Sequence, residues 1–122
     1  MPRKILEEAS IHPAIRDTVG HWHADLVHNV NAARLSNAVL VVGMAGNPFC
    51  KRARKALDAA DIPHQYLSYG SYVSQWRQRL ALKMWSGWPT FPIVFVKGSL
   101  VGGAQDLERL IKSGEIKRLL IE

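Results

Sequence analysis

The chain has 122 residues, 48% of them hydrophobic, and a formal net charge of +6. That suits one domain with its own apolar core, and no apolar run approaches the roughly 20 residues that a membrane-spanning helix requires. A single cysteine, Cys50, excludes an internal disulfide framework, while the surplus of cations favours anionic partners such as an acidic protein, a small carboxylate ligand or nucleic acid. The opening "MPRKILEEAS" lacks the apolar centre of a secretory signal, so a free thiol in the reducing cytoplasm, away from membranes, is the expectation.

Taken in chain order, Pro13 suits the first position of a helix, where its missing N–H is not needed. Ile15, Val19, Trp22, Leu26 and Val30 follow at steps of four, three, four and four, which predicts one apolar stripe on a helix of about five turns, weakened at Gly20. "NAVLVVGM" is a continuous β-branched run and predicts a buried central strand. It ends at "AGNP", where Asn47 is a good N-cap and Pro48 a good first helical residue; Ala53, Ala56, Leu57 and Ala60 supply the inward face of the helix they open.

"DIPHQYLSY" then predicts a turn and a second strand. A helix from about Tyr72 to Trp85 is expected next, with Val73, Trp76, Leu80 and Met84 facing inward. "SGWPTFP" cannot continue it, because Pro89 and Pro92 disfavour helical backbone in the residues before them. "IVFV", "KG" and "SLVGG" predict a hairpin, and a last amphipathic helix carries Leu107, Leu110 and Ile111, with a short helical turn in "SGEIKRLLIE".

This order, with "NPFC" at a helix start, "WPTFP" before the hairpin and "GGAQDL" after it, resembles the glutaredoxin family. The likeness spans Val39 to Leu120. It implies an α/β, thioredoxin-like (glutaredoxin-type) fold: a small mixed four-stranded sheet with helices on both faces, over 38–122, preceded by an N-terminal helical extension, 1–37. It also implies a thiol-redox or glutathione-binding protein of cell redox homeostasis, with glutathione or a glutathionylated protein as partner.

Residue by residue, the resemblance implies a glutathione cleft. The Phe91–Pro92 bond matches the family's cis-proline junction, with Thr90 beside it; Gly102 and Gly103 allow close backbone approach, and Gln105 and Asp106 fall where the family holds the γ-glutamyl end. Arg79, nine residues before Trp88, matches an arginine used by the monothiol class on the glycine carboxylate. Two positions depart from the pattern. Asn47 stands where relatives carry the nucleophilic cysteine, so the usual monothiol cycle and the iron–sulfur role that depends on that cysteine are expected to be lost. Met44 replaces a lysine of the dithiol members.

Cys50 aligns with the second, resolving cysteine and is the one candidate for a catalytic thiol. Burial raises a thiol pKa, whereas the helix dipole and Lys51, Arg52, Arg54 and Lys55 lower it, so a packed cysteine and a working thiol both stand as readings. A non-catalytic protein-binding module, using the cleft and this basic helix toward an acidic partner, is the alternative function. His21 and His28 share a helix face, but no cysteine or acid completes a ligand set, and no metal is expected. Trp22 and Trp76 fall on inward stripes and Trp85 and Trp88 beside the proline loop, which makes stacking on nucleic acid the weaker reading. The N-terminal helix is also a candidate surface for a homodimer.

Overall fold

The computed structural model describes residues 3–121. A 3₁₀ turn at Glu8–Ser10 precedes α1 (Arg16–His21), α2 (Ala24–Ser36), β1 (Val39–Gly43), α3 (Pro48–Ala59), β2 (Gln65–Ser68), α4 (Trp76–Ser86), β3 (Ile93–Val96), β4 (Ser99–Gly102), α5 (Ala104–Lys112) and α6 (Glu115–Ile121). The four strands form one mixed sheet in the order β2-β1-β3-β4, with β1 parallel to β2 and β3 antiparallel to both of its neighbours. None of the described helices is long and apolar enough to cross a membrane.

Alternation along the two central strands divides the core into halves, because successive side chains point to opposite faces. Val39, Val41, Val94 and Val96 face α3, α5 and α6, where they meet Ala53, Leu57, Leu107 and Ile116. Leu40, Val42, Ile93 and Phe95 face α2 and α4, where they meet Val30 and Leu82. Each fully buried aliphatic side chain contributes ~1.5–3 kcal/mol of hydrophobic stabilisation, so both faces need their helices. Lys97 and Gly98 turn the β3–β4 hairpin with φ of 53° and 79°, the paired left-handed conformation that suits a two-residue hairpin loop. Arg34 of α2 donates to the Gly98 carbonyl at 2.8 Å and ties the N-terminal helices to that turn.

Two expectations need correction. The stripe from Ile15 to Val30 is carried by two helices: Trp22 is extended (ψ 105°) and His23 left-handed (φ 51°), and α2 starts afresh at Ala24. Only the second half of the stripe has a sheet beneath it. Val30 is completely buried, whereas Ile15 and Val19 are half exposed, so little burial is gained by keeping the helix straight.

Helix α4 also turns a different side inward. It begins at Trp76, and its buried residues are Arg79, Ala81 and Leu82. The stripe of Val73, Trp76, Leu80 and Met84 lies on the outside. The apolar residues of this segment fit two faces, and the face with small Ala81 next to Leu82 is the one that reaches α2 and the sheet.

Candidate functional site

The first turn of α3 is organised by Asn47. Its backbone is extended (φ −90°, ψ 118°), and its side-chain Oδ1 accepts from the N–H of Phe49 at 2.8 Å and of Cys50 at 3.1 Å. Two of the helix's unpaired donors are thereby satisfied by a carboxamide that has no ionisable proton.

Cys50 sits one turn further in and is 2% exposed. Its Sγ lies against Gly43 of β1: a Cβ at that glycine would stand 2.7 Å from the sulfur and 2.9 Å from the Tyr66 hydroxyl, so only glycine admits this approach. Burial pushes the thiol above its ordinary 9.0 and outweighs the lowering by nearby backbone N–H groups, Tyr66 and Arg54. The sulfur borders a cavity of about 520 Å³ whose lining includes Met44, Asn47, Lys51, Arg54 and Tyr66. Arg54 stacks over the Tyr66 ring at 4.1 Å, and Arg52 pairs with Glu108 of α5 at 2.5 Å, so two of the four cations of this helix start have partners within the fold.

A second cavity, of about 310 Å³, lies between α3 and α5. Thr90, Phe91, Pro92, Gly103, Gln105 and Asp106 all line it. The Phe91–Pro92 bond is cis. Asp106 Oδ2 accepts from the Gly103 N–H at 3.1 Å and fixes the start of α5. Gly102 is absent from the lining but shapes it. Its φ of 114° is glycine territory, and the Asp106 side chain occupies the space a Cβ would need.

Phe49, Trp88 and Ala104 complete the wall. Phe49 was not foreseen as a lining residue; its signal was an aromatic in the solvent-facing first turn of a helix, where core packing gives it no reason to be. The Trp88 indole N–H is buried against Gly103 without an acceptor among the described residues.

The structure therefore separates the predicted site residues. Cys50 lines a cavity other than the proline cleft, although it belongs to the same buried cluster as Phe91. Arg79 reaches neither. It is 7% exposed, and its Nη1 donates to the carbonyls of Tyr69 at 3.0 Å and Ser74 at 2.5 Å, which holds the β2–α4 loop in shape. A guanidinium presents donors in several directions and is tolerated in the interior when carbonyls receive them.

A family model described as Glutaredoxin matches residues 39–101, from β1 to β4. A glutaredoxin-like protein of Dictyostelium discoideum is 40% identical over 102 residues, covering 84% of this chain and 83% of that protein. The chain belongs to the glutaredoxin family. Glutaredoxin 4 of Haemophilus influenzae is 30% identical over 95 residues, with 73% of this chain and 86% of the relative covered. Among solved structures, the buckwheat glutaredoxin–glutathione complex superposes with a TM-score of 0.70 at 20% identity, over 83% of this chain and 92% of that one.

The fold is thus the thioredoxin-like one, and the protein is a glutaredoxin-related redox protein. The matched region of this glutaredoxin contains the Asn47 turn and the cis-proline junction, while the Gly103–Asp106 wall of the cleft lies beyond it. Among the described residues, no group of three or more His, Cys, Asp and Glu side chains is placed to hold a metal.

Proposed function

We propose that this glutaredoxin-related protein binds glutathione, or the glutathione portion of a glutathionylated protein, in the cleft between Phe91–Pro92 and Gly103–Asp106, and does so without the family's exposed nucleophilic cysteine. The observation that carries this reading is that the one thiol is buried and lines a different cavity from the one bordered by the cis-proline junction and the start of α5. Thiol–disulfide exchange requires a thiolate to attack one sulfur, form a new S–S bond and expel the other sulfur as thiolate. Asn47 supplies no sulfur, and Cys50 is held as the thiol, which is the poor nucleophile of the pair.

The cleft's chemistry fits the tripeptide. Phe91 precedes the sheet ladder, which starts at Ile93, so its backbone is placed to pair with an extended peptide. The start of α5 favours a carboxylate and Asp106 an ammonium, the two charged groups of a γ-glutamyl end. Glutathione is the ligand of the buckwheat neighbour, and the volume here lies at the lower end of small-ligand sites.

Calorimetry with reduced glutathione tests the binding, and absence of heat at millimolar ligand removes it. A glutathione-dependent disulfide-reduction assay tests turnover: wild type and Cys50→Ser are expected to give equal, negligible rates. A wild-type rate that Cys50→Ser abolishes would establish a working thiol instead. The reading as a protein-binding module rests on Lys51 and Lys55, both exposed on α3, with Lys51 at the cavity that Cys50 lines. It predicts that a glutathionylated peptide with acidic flanks binds more tightly than glutathione itself.

A further inference from the structure

Helix α4 presents an apolar face that the rest of the described chain leaves uncovered. Trp76, Leu80 and Met84 follow at four-residue steps along about 12 Å of helix and are 56%, 38% and 60% exposed. Val73, just before the helix, is 93% exposed. Single apolar residues at a surface are ordinary, but an aligned row that runs into a concavity marks a contact surface. At Met84 the row opens into a groove of about 540 Å³ between α4 and the bend of the N-terminal helices, with Val19, Trp22 and Val27 on its far wall.

The charged side chains that α4 itself carries are all cationic. No Asp or Glu occurs between Asp61 and Asp106. Arg77 and Lys83 flank the row, and neither has a carboxylate partner among the described residues. The Arg77 guanidinium lies 4.9 Å from the Trp76 ring, and the Lys83 ammonium 5.6 Å from the ring of Phe91, which borders the cleft. The first turn of α4 has no acidic residue, and the acids of the N-terminal helices, Asp17 and Asp25, do not line the groove.

A second copy of the chain is a poor occupant. Two-fold pairing through this face would bring Arg77 and Lys83 toward their own images with no carboxylate between them. A partner of opposite sign has no such conflict.

We propose that this face docks an acidic amphipathic helix of a partner protein. Its apolar residues seat along Trp76, Leu80 and Met84, and its carboxylates face Arg77 and Lys83. This is the helix-in-groove mode of recognition, with apolar anchors for affinity and flanking charge for orientation and choice of partner. The apolar row lies outside the cleft lining, and Lys83 is where the two surfaces adjoin, so the docking does not require that glutathione bind.

The probe is a synthetic 18-residue helix with leucine at every fourth position and glutamate on the flanks; its control has the glutamates replaced by lysines. Titration into ¹⁵N-labelled protein is expected to shift the amide resonances of 76–86 and the Trp76 indole with the acidic peptide and not with the lysine control. Affinity is expected to fall at least tenfold in Leu80→Asp. A similar fall is expected in the double variant Arg77→Glu, Lys83→Glu, which leaves the apolar row intact, and also on raising salt. Absence of shifts at millimolar peptide, equal affinity for both peptides, or shifts confined to α3 or the cleft would overturn the proposal. So would sedimentation showing wild-type dimers that Leu80→Asp dissolves, since the occupant would then be another copy.

Discussion

The first turn of α3 borders two cavities of different character. At one, the cis-proline junction, Gly103, Gln105 and Asp106 converge on an open cleft. At the other cavity Gly43, Tyr66 and Cys50 crowd together and leave Cys50 2% exposed, at the edge of a wider space bordered by Met44, Lys51 and Arg54. Asn47 stands between them and spends its carboxamide on the helix start. The contrast shows that the residues around the cis-proline junction and the one thiol of this chain line different cavities.

The sharpest way to break the contrast is Asn47→Cys. A thiol at the helix start is favoured as thiolate, whereas Cys50 lies above its ordinary 9.0. Alkylation by iodoacetamide at pH 7 is expected to be on the order of 100-fold faster in that variant than in wild type. Equal rates would mean that Cys50 reaches solvent and that the two cavities differ less than their packing implies.

Next in size is Gly43→Ala, which puts a methyl group where Cys50 and Tyr66 already meet. Overpacking of this kind costs ~1–3 kcal/mol, read as a lower urea midpoint, with glutathione binding retained if the two cavities are independent. Asn47→Ala removes the cap from Phe49 and Cys50 and is expected to cost ~1 kcal/mol in the same measurement.

The smallest effect is an alkaline pH dependence carried by Cys50 and Tyr66, to which partly buried Tyr69 adds at the upper end. Burial raises both Cys50 and Tyr66 above their ordinary 9.0 and 10.0. The folded state therefore holds these protons more tightly than the unfolded chain does. Their contribution is complete below about pH 9 and declines as pH climbs through and beyond the ordinary values. Urea midpoints between pH 7 and 10.5 should fall, and Cys50→Ala should flatten the early part of that fall.

Much of this arrangement was legible in the residues. The β-branched run of β1, the Asn47–Pro48 helix start and the Lys97–Gly98 turn each have one conformation that suits them, and each forms as read. The cleft was legible through its proline and glycines, which mark backbone rather than side-chain chemistry. Helix α4 was not, because Trp76, Leu80 and Met84 repeat with the same spacing as a buried face; the choice is made by how closely Ala81 and Leu82 let the helix approach α2 and the sheet. The two carbonyls that Arg79 serves, in the loop before its own helix, are not legible in its spacing, because they depend on how that loop folds back over α4. The break at Trp22–His23 was hidden for a related reason: periodicity records which residues are apolar, not where the surface they would cover comes to an end.

The complete burial of Val30 bears on how the protein can be cut. The family-matched span begins at Val39, so a truncation there looks natural on paper. It would strip α2 and the buried Val30 from the sheet and leave α4 alone to cover Leu40, Val42 and Phe95. The shortened polypeptide should be recovered as aggregate rather than as a minimal unit, which makes the N-terminal helices a lid on this half of the interior and not an appendage to it.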